Sequence, residues 1–247
     1  MYQTCIFDLY GTLVDIHTEE DQAELWEKLA MFYGYYGAVY EGSELQKAYL
    51  RIVRTLQKGE EQLRRDSHES FPEIQIEQVF AELFREKGVH AEGKLPVYAG
   101  QFFRILSTEY LRLYEGTKEM LERLRRAGKR IYLLSNAQRI FTEYEMKLLG
   151  IDGYFDGIFI SSDYPYRKPD VRFFYDLLET YGIVRDTAVM IGNDGICDIE
   201  GAKRAGLHTL YVRTDISPKE PLPEADEVLE KMHMRRIGDI LLGKEGK

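Results

Sequence analysis

Cysteine is scarce in this chain of 247 residues. Only Cys5 and Cys197 occur, which excludes a disulfide framework and points to reduced thiols. The five histidines, His17, His68, His90, His208 and His233, are scattered, so no histidine metal site follows. No apolar run is long enough to cross a bilayer. The run Cys5 to Phe7 stops at Asp8 without the layout of a signal peptide, and a cytoplasmic location is the expectation. Positive charge is also short: 33 Lys and Arg stand against 42 Asp and Glu, a net charge of −9. The basic runs Arg123 to Arg126 and Arg235-Arg236 read as solvated helix faces, not as a nucleic-acid surface. An acidic protein that handles an anion must concentrate positive charge locally, from a lysine, a metal or helix N-termini. Neither nucleic acid nor a membrane is expected as a partner; the expectation is a monomer or homodimer acting on a small anionic molecule.

What is present is an ordinary globular composition, 44% hydrophobic and 30% charged, long enough to bury a sizeable core. The chain has no internal repeat. Thr4 to Leu9 reads as a strand that ends in the turn Gly11-Thr12. Four amphipathic stretches follow, near 19–36, 43–66, 74–87 and 97–113, with apolar residues at helical spacing. Turn residues separate them: Gly34 and Gly37, Ser70 to Pro72, and Gly88 to Pro96. After Gly116 strands and helices alternate, with strands at 130–134, 157–161, 187–191, 209–212 and near Glu227 to Leu229. This rhythm predicts an α/β fold, a Rossmann-like doubly wound parallel sheet with an inserted all-α cap. Residues 1–15 and 115–247 would form the core, and residues 16–114 the helical cap.

In open parallel sheets ligands bind beyond the carboxyl ends of the strands. Asp8, Ser135, the segment Ser161 to Lys168 and the pair Asn193-Asp194 all fall at such ends. An aspartate at a strand end is by itself most often a turn former. Beside a lysine, a hydroxyl and further carboxylates it can transfer an anionic group as a covalent nucleophile.

Four motifs carry a resemblance. They are Phe7-Asp8-Leu9-Tyr10-Gly11-Thr12-Leu13-Val14-Asp15, Leu133-Leu134-Ser135-Asn136, Arg167-Lys168-Pro169-Asp170, and Gly192-Asn193-Asp194 with Asp198 and Gly201-Ala202 after it. In this order they resemble the haloacid dehalogenase-like hydrolase superfamily, over the α/β core, with the helical insert where that family carries a C1-type cap. The resemblance implies that Asp8 forms an aspartyl ester or phosphate which water then hydrolyses. It implies that Lys168 pairs with Asp8, and that Thr12, Ser135 and Asn136 bind the transferred group or shape its site. It implies Mg²⁺ held by Asp8, the Tyr10 carbonyl and Asp194, with Asp198 as a further ligand or a structural partner.

Tyr10 departs from the phosphatases of that family, which carry an aspartate there as general acid and base. A tyrosine is a poor base at neutral pH, though it can donate a hydrogen bond. The Asp-x-Tyr-Gly-Thr pattern resembles the L-2-haloacid dehalogenases, whose halide leaving group needs no proton. Against them stand Phe174 where those enzymes have a tyrosine, Asn193 and Gly195 where they carry serine and asparagine, and Asp194, since they are metal-free. Arg51 is a candidate for their cap arginine. The expectation is a Mg²⁺-dependent phosphatase. A metal-independent dehalogenase is the alternative, and a catalytically weak binding protein on the same fold is a third. The aromatic stretch Phe32 to Tyr40 reads as cap packing before a substrate entrance.

Overall fold

The computed structural model describes residues 2–63, 73–219 and 221–244. The predicted end of the second helix, the turn Ser70 to Pro72 and His68 lie outside the described residues. Among the described residues one parallel sheet has the order β5-β4-β1-β6-β7-β8. Its strands are β1 (Thr4–Phe7), β4 (Arg130–Ser135), β5 (Gly157–Ile160), β6 (Ala188–Gly192), β7 (His208–Val212) and β8 (Glu227–Leu229). The remaining strands, β2 (Val14–Thr18) and β3 (Thr108–Leu113), pair antiparallel as a separate ribbon.

Alternate residues of the central strands face opposite sides of the sheet. Cys5, Phe7, Ile131, Leu133, Val189 and Ile191 pack on one side. They meet α5 (Thr117–Arg126), α6 (Arg139–Leu149) and α9 (Met234–Leu241) through Leu121, Met146 and Ile237. Ile6, Leu134 and Met190 face the other way, onto Phe173, Phe174 and Leu177 of α7 (Val171–Tyr181) and Ala202 of α8 (Gly201–Arg204). Both faces of the sheet are thus covered, which is why its inner strands are nearly all apolar.

Between β2 and β3 lie α1 (Ala23–Tyr35), α2 (Gly42–Leu63), α3 (Ile76–Glu86) and α4 (Leu95–Ser107). They have an apolar cluster of their own, with Leu25, Trp26, Leu29, Tyr33, Tyr49, Phe80, Phe84 and Phe103, and Ile140 of α6 completes it. Tyr33 and Tyr40 are buried there and donate to the Phe80 and Leu83 carbonyls at 2.9 and 2.6 Å, as packing residues do. Tyr35 and Tyr36 are exposed.

The fourth helix does not run to residue 113 as the periodicity predicts. It stops at Ser107, and 108–113 pairs with β2. Thr108 Oγ1 and Ser107 Oγ donate to the Arg104 carbonyl at 2.6 and 3.1 Å and satisfy the last turn. The chain thus leaves and re-enters the sheet region along one ribbon. The helical segment after β6 is short. A wider π-type turn, Gly195–Glu200, precedes the single α-turn of α8. No helix among the described residues is long and apolar enough to cross a membrane.

Candidate active site

Asp8 follows β1, which lies between β4 and β6, so the loops after those strands flank it. Its N–H donates to the Ile191 carbonyl at 2.9 Å and continues the pairing one residue beyond the strand. The chain then turns tightly. The Leu9 carbonyl accepts from the N–H groups of Thr12, Leu13 and Val14 at 3.2, 2.8 and 2.9 Å. This returns the Thr12 hydroxyl to 3.2 Å from Asp8 Oδ2 and 3.3 Å from Asn193 Oδ1. Gly11 makes the turn at φ 83°, and a Cβ there would lie 2.3 Å from Asn193 Nδ2.

Lys168 reaches Asp8 from the loop after β5. Its ammonium is buried and has three acceptors: Asp8 Oδ1 at 2.8 Å, Asp198 Oδ1 at 2.7 Å and the Leu134 carbonyl at 2.7 Å. That is the full donor capacity of a lysine. Burial alone would lower its pKa, but the charges of Asp198 and Asp8 outweigh burial and hold the group protonated above its ordinary range. Burial pushes the Asp198 carboxyl up, against the pull of Lys168. Asn136 holds the Lys168 backbone from both sides. Its Oδ1 accepts from the Lys168 N–H and its Nδ2 donates to the Lys168 carbonyl, each at 2.9 Å. Ser135 Oγ stands 3.4 Å from Asp8 Oδ1.

The loop after β6 supplies two more carboxylates. Asp194 Oδ1 caps the following turn and accepts from the Ile196 and Cys197 N–H groups at 2.9 and 2.8 Å. Asp198 Oδ2 accepts from the Asp194 N–H at 2.9 Å. Both oxygens of Asp198 are therefore engaged, one by Lys168 and one by backbone. Gly192 permits this, because a Cβ there would lie 2.1 Å from Asp198 Oδ2.

Asp8, Tyr10, Ser135, Asn136, Lys168, Asn193, Asp194, Cys197 and Asp198 line a cavity of about 230 Å³, together with Ile216 and Pro218. When ionised, its three carboxylates exceed its one ammonium by two charges. An anionic ligand needs that excess neutralised, and a divalent cation is the simplest means. Among the described residues no group of three or more His, Cys, Asp or Glu side chains has metal-binding spacing. A cation here would need carbonyl, water and ligand oxygens besides Asp8 and Asp194. Magnesium takes such a mixed set, since it binds through one or two carboxylates and retains waters. The donor set fits that ion.

The structure brings Asp8, Thr12, Ser135, Asn136, Lys168, Asp194 and Asp198 together. It does not bring the Tyr10 hydroxyl to them. That hydroxyl donates to Glu145 Oε2 at 2.5 Å and lies 3.0 Å from Thr142 Oγ1, both on α6. Burial, and then the Glu145 charge, raise its pKa above the ordinary range, so it stays protonated. Arg51, the candidate cap arginine, pairs with Glu86 at 2.6 Å on an exposed face and lines no part of the cavity. From the inserted helices Arg104 of α4 reaches the nucleophile turn: its guanidinium lies over the Tyr10 ring, 5.6 Å from the ring centre, and its Nε lies 2.6 Å from Glu145 Oε1. Phe174 is buried against the sheet and offers no hydroxyl. Arg104, Thr142 and Glu145 carry no motif, and only their docking identifies them. Asn193 had a signal, its place at the end of β6.

A family model described as haloacid dehalogenase-like hydrolase matches residues 2–206. The chain is 28% identical over 164 residues to phosphoserine phosphatase of Thermus thermophilus, an overlap of 66% of this chain and 61% of that protein. It spans roughly half the length of most of the curated relatives it matches. Among solved structures it resembles the putative HAD-hydrolase YfnB of Bacillus subtilis bound to magnesium, with a TM-score of 0.56 at 21% identity over 97% of this chain and 98% of that one. It also resembles L-2-haloacid dehalogenase of Xanthobacter autotrophicus, with a TM-score of 0.56 at 16% identity over 99% and 100%. Identities this low bear on the fold alone. The family match, the parallel sheet and the strand-end cluster agree: the chain belongs to the haloacid dehalogenase-like hydrolases.

Proposed function

We propose that the protein is a magnesium-dependent phosphatase in which Asp8 is the nucleophile, acting on small phosphorylated molecules whose leaving group departs without a proton. The observation that carries this reading is the Lys168 ammonium held between Asp8 and Asp198, in a cavity whose carboxylates exceed its cations. A carboxylate oxygen of Asp8 attacks phosphorus, the bond from phosphorus to the leaving oxygen breaks, and the leaving group takes the electron pair. Water then attacks the aspartyl phosphate, releases inorganic phosphate and restores the carboxylate. Lys168 neutralises charge on the nucleophile and on the transferred group, the Ser135 hydroxyl donates to a phosphoryl oxygen, and the Thr12 hydroxyl, buried behind the cavity, orients the Asp8 carboxylate. Asn136 keeps the lysine loop in place.

Asp8, Asp194 and the Tyr10 carbonyl would hold the magnesium ion, with Asp198 behind them as a partner of Lys168. When bound, the ion would offset the phosphate charge. The Tyr10 hydroxyl, committed to Glu145, is no proton donor to the cavity. Lys168 is held charged by two acids. General acid–base help is typically worth about 10²–10⁴ in rate. Its absence selects acyl and aryl phosphates over alkyl esters. The division into a core of 1–15 and 115–247 and a cap of 16–114 belongs to this reading, supported by the separate apolar cluster of the helices between β2 and β3. The relatives named as phosphatases support the substrate class. Tyr10 in the first motif is the observation favouring a dehalogenase as second reading.

The test is hydrolysis of acetyl phosphate, p-nitrophenyl phosphate and glycerol phosphate, with magnesium and with EDTA, beside 2-chloropropionate. Magnesium-dependent release of phosphate from the first two is expected. Chloride release that persists in EDTA would replace this reading with the dehalogenase one.

A further inference from the structure

One buried polar cluster beside the cavity takes no part in the chemistry above. Tyr10 projects from the turn that carries Asp8, two residues away. Its hydroxyl meets Glu145 at 2.5 Å and Thr142 at 3.0 Å. Glu145 is buried and uses both oxygens. Oε1 accepts from Arg104 Nε at 2.6 Å, and Oε2 accepts from Tyr10 and, at 3.4 Å, from Arg104 Nη2. The Arg104 guanidinium also lies over the Tyr10 ring, 5.6 Å from its centre, and over the Phe141 ring at 5.3 Å.

The three residues come from three places. Tyr10 belongs to the nucleophile turn, Glu145 to α6, and Arg104 to the last turn of α4. α4 runs directly into β3, the strand by which the chain returns to the core. A displacement of the inserted helices about the ribbon must move Arg104 against Glu145. The Asp8 turn is closed by its own backbone bonds, with Gly11 N–H donating to the Val14 carbonyl at 2.8 Å, so a pull on Tyr10 is passed to the whole turn. Next to the cluster, Gln101 Nε2 donates to the Ile140 carbonyl at 3.2 Å, a second link between α4 and α6. Removing one partner of a buried, hydrogen-bonded charge pair leaves the other uncompensated, so the cluster has strong reason to stay assembled.

We propose that Glu145 is a positioning residue for the nucleophile turn, and that through Arg104 it couples the placement of Asp8 to the placement of the inserted helices. Tyr10 is then the connecting rod of this device. Its hydroxyl, held by Glu145 and Thr142, sets where Asp8 stands. The kinetic arm of the test rests on the reading of Asp8 as nucleophile, and the exchange arm does not.

The experiment is amide hydrogen exchange of the full chain by mass spectrometry, on wild type, Arg104→Ala, Glu145→Gln and Arg51→Ala. Arg51 is the control, because its pair with Glu86 joins α2 to α3 without touching the turn. Exchange of the peptide spanning Leu9 to Val14 should quicken about tenfold in the first two variants and stay unchanged in the control. With acetyl phosphate, kcat should fall about tenfold while KM stays within about twofold, and Arg104→Lys should recover part of the loss. Unchanged exchange at Leu9 to Val14 in folded Arg104→Ala and Glu145→Gln overturns the proposal. Should Arg104→Ala fail to fold, Glu145→Gln decides alone. A wild type that hydrolyses no phosphate removes the phosphatase reading and leaves the exchange result to judge the coupling.

Discussion

Lys168 Nζ lies 2.8 Å from Asp8 Oδ1 and 2.7 Å from Asp198 Oδ1, with all three side chains buried. One ammonium therefore compensates two carboxylates, one at the end of β1 and one in the turn after β6. Losing it leaves both acids buried without a cation. Lys168→Ala is expected to lower stability by about 3–5 kcal/mol, the usual effect of breaking a buried ion pair from one side. Urea unfolding at pH 7 measures this. The double replacement Lys168→Met with Asp198→Asn should recover part of the loss, because it removes a charge as well as its partner.

Gly192 gives a second handle on the same triad. A Cβ at this position would lie 2.1 Å from Asp198 Oδ2 and 2.5 Å from its Cβ, so the Asp198 side chain must shift. Gly192→Ala should displace the Asp198 carboxylate and cost about 1–3 kcal/mol, the range for overpacking. Activity should fall with it, because Lys168 loses one of its three acceptors. A variant with wild-type stability and turnover would show that Asp198 is free to move aside.

The thiols offer a pH test. Cys197 lines the cavity, yet burial and then the Asp194 charge push its pKa up to about 12, and burial does the same to Cys5. The thiolate is the reactive form, so a raised pKa lowers its population at every pH below that value. Iodoacetamide labelling of native protein should stay slow from pH 7 to pH 9 and become rapid in urea. Fast labelling of Cys197 at pH 7 would contradict this.

Tyr10→Asp tests the missing proton donor. An aspartate there restores the residue type that the family's phosphatases carry. The ratio of glycerol phosphate turnover to acetyl phosphate turnover should rise, by up to about 10²–10⁴. The ratio is the proper readout, since the substitution also cuts the link to Glu145 and lowers both rates together.

Much of this site was legible because its residues sit where strands end. Asp8, Ser135, Lys168 and Asp194 are fixed by the order of the sheet, and strand ends can be read from runs such as Ile131 to Leu134. The ribbon was not legible. Thr108 to Leu113 continues the apolar spacing of α4 closely enough to extend a helical pattern, and its partner β2 lies about ninety residues away in sequence. Strand pairing at that distance leaves no local trace. Glu145 and Arg104 were hidden for a related reason. Each is a charged residue on an amphipathic helix, where a solvated face is the ordinary reading, and only the docking of α4 on α6 buries them. Tyr10 was visible as a departure from a motif, but the direction of its hydroxyl depends on that same docking.

The most direct test of the account is to find the covalent intermediate. The protein is mixed with radiolabelled acetyl phosphate and magnesium, quenched in acid, and mapped by peptide mass spectrometry. The account expects label on Asp8, released by hydroxylamine as an acyl phosphate is and absent from Asp8→Asn. Turnover of acetyl phosphate with label on another residue, or label that persists in Asp8→Asn, would contradict it.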